Sequence, residues 1–206
     1  MKNNIDTIIF DLGGVLVDWK PEYVYRKIFK NDEEKVQWFL NTVCTSEWNM
    51  QQDAGRTIKE AEKIKIDEFP EYKDLITLYY KEWPNMFSGP IKENVELFKK
   101  LKSSENYKIY ALTNWSAEKW DIALELFPFF NEFDGTVVSG LVKTRKPFPE
   151  IYKILLNKFN IEPENAIFID DNNDNILAAK ALKINGIHFK NHKQLIRKLK
   201  YFNINF

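Results

Sequence analysis

The sequence has a single cysteine, Cys44, among its 206 residues. A lone thiol forms no internal disulfide, so the fold must rest on its core, and a reducing compartment is expected. Charge of one sign is also missing: 30 Lys and Arg face 30 Asp and Glu, a formal net charge of zero. With no global field to draw nucleic acid or an anionic membrane, an anionic ligand has to be held by local groups. No apolar run approaches the ~18 residues that span a bilayer. The N-terminal segment from Met1 to Asp6 leads directly into an apolar strand, too short a lead for a signal sequence. These absences together imply a cytoplasmic protein with no nucleic-acid and no membrane partner; a monomer or homodimer is expected.

What is present describes an ordinary globular chain, 44% hydrophobic and 29% charged. Its length suffices for a sizeable core with an inserted subdomain. Short apolar runs rich in β-branched residues occur at 7–10, 108–112, 136–138, 166–169 and 186–189. Their apolar character is continuous, which indicates strands buried on both faces, as in a parallel sheet. Helical periodicity separates them at 91–102, at 116–126 with Ser116 as the expected cap, at 149–159 and at 173–184. Strands alternating with helices of this length predict βαβ units and a doubly wound, Rossmann-like α/β sheet.

Residues 21–87 break the alternation. Four helical patterns, at 22–30, 32–43, 57–67 and 72–86, follow one another with no convincing strand. Trp19, Trp38, Trp48 and Trp83 lie in or beside this block and read chiefly as its core. The expected organisation is a helical cap over 21–87 inserted into a core made of 1–20 and 88–206, with Gly89-Pro90 marking the return.

Four polar clusters stand where apolar runs stop or in nearby loops: Asp11-Leu12-Gly13-Gly14, Thr113-Asn114, Lys146-Pro147 and Asp170-Asp171. In an open α/β sheet the carboxyl ends of the strands form the ligand crevice, so clusters distant in sequence converge there. Their chemistry is coherent. A carboxylate can attack phosphorus and hold the phosphoryl group covalently. Neighbouring carboxylates repel unless a cation bridges them, and Mg²⁺ favours carboxylates together with phosphate oxygens. A lysine and a hydroxyl-amide pair can neutralise and orient the transferred group. Asp171, Asn173 and Asn175 imitate a calcium loop, but Ile176 occupies the position that needs glycine.

Ile9-Phe10-Asp11-Leu12-Gly13-Gly14-Val15-Leu16 resembles the first motif of the haloacid-dehalogenase-like hydrolase superfamily. Leu112-Thr113-Asn114, Arg145-Lys146-Pro147 and Phe168-Ile169-Asp170-Asp171 through Asn175 resemble its second, third and fourth motifs, in order. The resemblance implies a Mg²⁺-dependent phosphatase of a small phosphate ester, with Asp11 as nucleophile and metal ligand. The Gly13 carbonyl and Asp171 would be further metal ligands, with Asp170 beside them. Thr113 and Asn114 would hold the phosphoryl group, and Lys146 would stabilise both Asp11 and the transferred charge.

The chain departs from that pattern at Gly13, where most phosphatases of the superfamily carry an aspartate as general acid. Losing such an acid costs ~10²–10⁴-fold. A good leaving group, as in a sugar 1-phosphate, another proton source, or slow turnover would each accommodate it. A 2-haloacid dehalogenase is also compatible with Gly13, although Asp170 and Asp171 would repel an anionic haloacid. A catalytically weak phosphate-binding module is compatible with Gly13 and with the neutral Asn175.

Overall fold

The computed structural model describes residues 5–206. Residues 1–4, on which the expectation about a leader partly falls, lie outside the described residues. In chain order the elements are β1 (Thr7–Phe10), β2 (Val17–Trp19), α1 (Glu22–Ile28), α2 (Glu33–Thr42), α3 (Ser46–Asp53), α4 (Ile58–Glu68) and α5 (Lys73–Lys81). There follow β3 (Phe87–Pro90), α6 (Lys92–Ser103), β4 (Lys108–Thr113), α7 (Trp120–Leu126), β5 (Gly135–Val138) and α8 (Ser139–Val142). The chain ends with α9 (Pro149–Phe159), β6 (Ala166–Asp170), α10 (Asn173–Ala181), β7 (Asn185–His188) and α11 (His192–Tyr201).

Five strands form one parallel sheet in the order β5-β4-β1-β6-β7. In register, Ile8 of β1 lies opposite Ile109 on one side and Ile167 on the other. Alternate residues point to opposite faces, and both faces are covered. Ile8, Phe10, Ile109 and Ile167 join Leu97 and Phe98 of α6 and Leu195 of α11 in one buried cluster. Ile9, Leu112, Val137 and Phe168 join Ile151 and Leu155 of α9 and Ile176 of α10 in a second. Each such side chain contributes about 1.5–3 kcal/mol relative to an exposed one. The sheet is thus the doubly wound, Rossmann-like arrangement. Because the chain leaves β1 towards β4 and returns to its other side at β6, the switch point lies at the carboxyl end of β1.

Helices α1 to α5 lie between β2 and β3, which pair with each other as a short antiparallel ribbon. Five details differ from the sequence expectations. The 21–87 block holds a fifth helix, α3, whose Thr45 cap accepts a hydrogen bond from the Trp48 N–H. Its last helix ends at Lys81, and Trp83–Met86 forms a separate tight turn, because Pro84 cannot donate the hydrogen bond that would continue α5. Ser116 is not a capping side chain: a tight turn over Ala117–Lys119 precedes α7, and Ser116 gives it no side-chain hydrogen bond. The tryptophans also divide. Trp48 and Trp83 are buried in the core, whereas Trp38 is 45% exposed. Finally, α10 ends at Ala181 rather than near 184, since Lys183 adopts the left-handed conformation that closes helices. Among the described residues no helix is long and apolar enough to cross a membrane.

Candidate active site

All the polar clusters converge at the carboxyl ends of β1, β4 and β6. Asp11 follows β1 directly, Thr113 is the last residue of β4, and Asp170 is the last of β6. Lys146, on the loop between α8 and α9, reaches the same point from the side. It is 1% exposed, and its Nζ lies 2.9 Å from Asp11 Oδ1, 2.7 Å from Asp170 Oδ2 and 2.9 Å from the Leu112 carbonyl. The Leu12 N–H also donates to Asp11 Oδ1, at 2.7 Å. One Asp11 oxygen is therefore fixed by two donors, while Oδ2 has no hydrogen-bond partner among the described residues.

Asp170 is fully buried, and its carboxylate is saturated. Besides Lys146, it accepts from the Asn172 N–H at 2.7 Å and from Asn175 Nδ2, which is 3.0 Å from both oxygens. Asp171 is exposed, and its carboxylate takes no side-chain partner among the described residues. Oxygens of Asp11, Asp170 and Asp171 all lie within 4.8 Å of one another. Three carboxylates against one buried ammonium leave two negative charges uncompensated, which suits a divalent cation.

The electrostatics show the same imbalance. Burial, and then the neighbouring Asp170 and Asp171, push the Asp11 carboxyl up to about 8 against the opposing pull of Lys146. Loss of hydration and the Asp170 charge raise Asp171. Burial depresses the Lys146 ammonium, but Asp11 and Asp170 more than offset it, so its net shift is upward.

The turn after Asp11 is built around these groups. Gly14 has φ +70°, and a Cβ there would lie 2.1 Å from Asp171 Oδ2. Only glycine lets the backbone approach that carboxylate so closely. At Gly13 the situation is opposite: a Cβ would meet nothing within 4 Å and would project into open space.

Thr113 is 1% exposed, and its Oγ1 has no hydrogen-bond partner. A buried hydroxyl left unpaired costs about 1–3 kcal/mol, so an oxygen-rich ligand beside it would be well received. Asn114 does something the motif alone does not convey. Its side chain accepts from the Lys146 N–H at 2.8 Å and donates to the Lys146 carbonyl at 3.0 Å, pinning the loop that carries the lysine. Ser139 was not singled out by the sequence. Its buried hydroxyl accepts from the Trp115 N–H at 2.8 Å and so holds the turn that follows Thr113.

Over this crevice lies a cavity of about 80 Å³. Gly13, Asn114, Trp115 and Ser116 form its floor, and Asp53, Trp19 and Trp83 come to it from the ribbon and the helices between β2 and β3. Asp53 escaped the sequence reading because nothing in Gln51-Gln52-Asp53-Ala54 distinguishes it from a solvated helix end.

Comparison with known proteins gives a consistent picture. A family model for haloacid dehalogenase-like hydrolases matches residues 5–183. A sesquiterpene phosphatase, astK, of Aspergillus oryzae is 29% identical over 189 residues, covering 87% of each chain. A phosphorylated carbohydrates phosphatase of Thermotoga maritima is 27% identical over 188 residues, covering 89% of this chain and 84% of the relative. A family enzyme of Bacteroides thetaiotaomicron, solved in complex with magnesium and inorganic phosphate, superimposes with a TM-score of 0.67 at 26% identity, covering 91% of this chain and 95% of its own. With its motifs gathered at one crevice and a family match over most of its length, this chain belongs to the haloacid dehalogenase-like hydrolases.

Proposed function

We propose that this chain is a Mg²⁺-dependent phosphomonoester hydrolase that acts through an aspartyl-phosphate on Asp11, on a small phosphorylated metabolite such as a sugar phosphate. The carrying observation is the state of Asp11. One oxygen is held by Lys146 and the Leu12 N–H, the other is unpartnered, and the side chain sits at the switch point of the sheet. The Aspergillus and Thermotoga relatives, both named phosphatases, and the magnesium and inorganic phosphate bound in the Bacteroides structure support the same chemistry.

In this reading Asp11, the Gly13 carbonyl and Asp171 hold the cation, and Asp170 backs them by fixing Lys146. Bound there, Mg²⁺ neutralises the carboxylates and supplies Lewis-acid stabilisation of phosphate oxygens. The unpartnered oxygen of Asp11 attacks phosphorus as the ester oxygen departs. Lys146 and the orphaned Thr113 hydroxyl receive the charge on the equatorial oxygens. Asn114 serves chiefly by keeping Lys146 in place. Water then cleaves the acyl phosphate.

The test is turnover of an aryl phosphate with and without Mg²⁺. Aryl leaving groups need little protonation, so the assay is fair to a chain with glycine at position 13. Mg²⁺-dependent release of phosphate is expected. A wild-type protein inert towards aryl and sugar phosphates, yet releasing halide from a 2-haloacid, would overturn the proposal.

The metal assignment gives a second expectation. Asp171→Ala should weaken Mg²⁺ binding by at least the ~10–100-fold typical of losing a supporting partner. Asp170→Ala, whose oxygens are already taken by Lys146, Asn172 and Asn175, should weaken it less. Protons compete with the metal for Asp11, whose carboxyl is held near 8, so Mg²⁺ affinity should rise between pH 6 and pH 8 with proton release. Calorimetric titration in buffers of different ionisation enthalpy reads both quantities. Equal losses in the two variants, or a pH-independent affinity, would mean that the ion sits elsewhere.

A further inference from the structure

We propose that Asp53, carried by α3 on the far side of the crevice, donates the proton to the leaving group, replacing the acid that Gly13 does not provide. This rests on the phosphatase reading above and deepens it. Gly13 and Asp53 line one cavity, together with Asn114 and Ser116 of the catalytic face. The space a side chain at Gly13 would enter is open, with nothing within 4 Å of its Cβ position. A carboxyl group reaching that space from above can serve the same oxygen as one reaching it from below.

Asp53 is also free for the task. Its carboxylate has no hydrogen-bond or ion-pair partner among the described residues, unlike Asp18 on the nearby ribbon. Although partial burial pushes Asp18 up, hydrogen bonds from Ser88 and Tyr23 and the Lys20 charge hold it below the usual carboxylate range. The segment bearing Asp53 is fixed. Gln52 is fully buried, donates to the Trp48 carbonyl and the Tyr80 hydroxyl, both at 2.7 Å, and accepts from Arg56 at 2.7 Å. Just beyond it, a Cβ at Gly55 would lie 3.0 Å from Lys143 Cγ and 3.4 Å from the Gly140 carbonyl, so this end of α3 rests on the loop leading to Lys146.

The charges around Asp53 suit an acid. Arg145 and Lys146 face it from the core and the phenols of Tyr79 and Tyr80 from α5. Burial outweighs the pull of the two cations and pushes the carboxyl up to about 7, where a proton donor is both occupied and able to release.

The step balances. Asp11 forms a bond to phosphorus as the bond to the ester oxygen breaks, and the Asp53 proton passes to that oxygen, releasing an alcohol and leaving a carboxylate. The attacking water takes the place of the departed alcohol. Its proton goes to Asp53, its oxygen bonds phosphorus, and the bond to Asp11 breaks, returning both carboxyl groups to their starting states.

Asp53→Asn, measured with Mg²⁺ over a series of aryl and primary alkyl phosphates, tests this. Turnover of alkyl esters should fall about 10²–10⁴-fold. Aryl kcat/KM, which reports the phosphorylation of Asp11 alone, should change little and also shows that the variant is folded, whereas aryl kcat should fall because the water step also uses Asp53. The dependence of log kcat/KM on leaving-group pKa should steepen, and the decline of wild-type alkyl turnover above pH ~7 should disappear. Introducing Gly13→Asp into the Asp53→Asn variant should restore alkyl turnover. Wild-type protein active on alkyl phosphates together with an Asp53→Asn variant equally active on them, or one that loses kcat/KM for aryl and alkyl esters alike, would overturn the assignment while leaving the phosphatase reading intact. A wild type inactive on every phosphate ester would instead fail that reading itself.

Discussion

Asp11→Asn is expected to lower phosphatase turnover on the order of 10⁴–10⁶-fold, the scale seen when a covalent nucleophile is removed from a hydrolase. The fold should survive. Asparagine has the shape of aspartate, and its oxygen can still accept the Leu12 N–H now 2.7 Å from Oδ1. Lys146 keeps Asp170 at 2.7 Å and the Leu112 carbonyl at 2.9 Å. Moreover, the substitution deletes one charge from a crevice in which carboxylates outnumber their counter-ion. The metal-free variant should accordingly melt at or above the wild-type temperature. Turnover assays and thermal unfolding, run side by side, check the two halves. Retained turnover would remove Asp11 from the mechanism, and a collapsed fold would make its role structural.

Lys146→Met should be the most damaging single change for stability. The ammonium is nearly fully buried and lies between two carboxylates, so removing it leaves Asp11 and Asp170 facing each other without a cation. Breaking a buried pair from one side costs about 3–5 kcal/mol. For a chain of this length that is roughly 10 °C in Tm. Since the cost arises from charged carboxylates, and the pull of Lys146 is part of what holds Asp11 down to about 8, Asp11 should ionise above that range in the variant, so the deficit should grow as pH rises through and beyond 8. Mg²⁺ should recover part of it at pH 8. Denaturant unfolding at pH 6, 8 and 9.5, with and without Mg²⁺, measures each term. A variant as stable as wild type at pH 8 without metal would show that the pair carries little of the fold.

The contrast between these residues and the helical insertion explains what the sequence conveys. Strands β1, β4 and β6 are buried on both faces, so each must be a continuous apolar run, and a run that stops at Asp11, Thr113 or Asp170 announces the crevice. The parallel sheet and the convergence of the motifs follow from those runs. Helix α3 has no such signature. In Ser46–Asp53 only Trp48 and Gln52 are buried, one of them polar, so its helical face is written in hydrogen bonds rather than in apolar periodicity. Asp53 inherits that obscurity, because its relation to Gly13 exists only once the insertion folds back over β1. Asn114 and Asn175 illustrate a related limit. Residue type and spacing bring them to the site, but only the structure shows that one clamps the Lys146 backbone and the other bridges both oxygens of Asp170.

Covalent phosphorylation of Asp11 is the claim on which the mechanism turns, and rapid acid quench addresses it directly. The Mg²⁺-loaded enzyme is mixed with a phosphate-labelled aryl ester, quenched within a single turnover, digested and mapped by mass spectrometry. Label is expected on the peptide containing Asp11, at a level that rises with the burst of released phenol and decays at the rate of phosphate release. It should be absent from Asp11→Asn. An enzyme that turns over its substrate in the same experiment with no label on that peptide, or with label on another residue, would contradict the account.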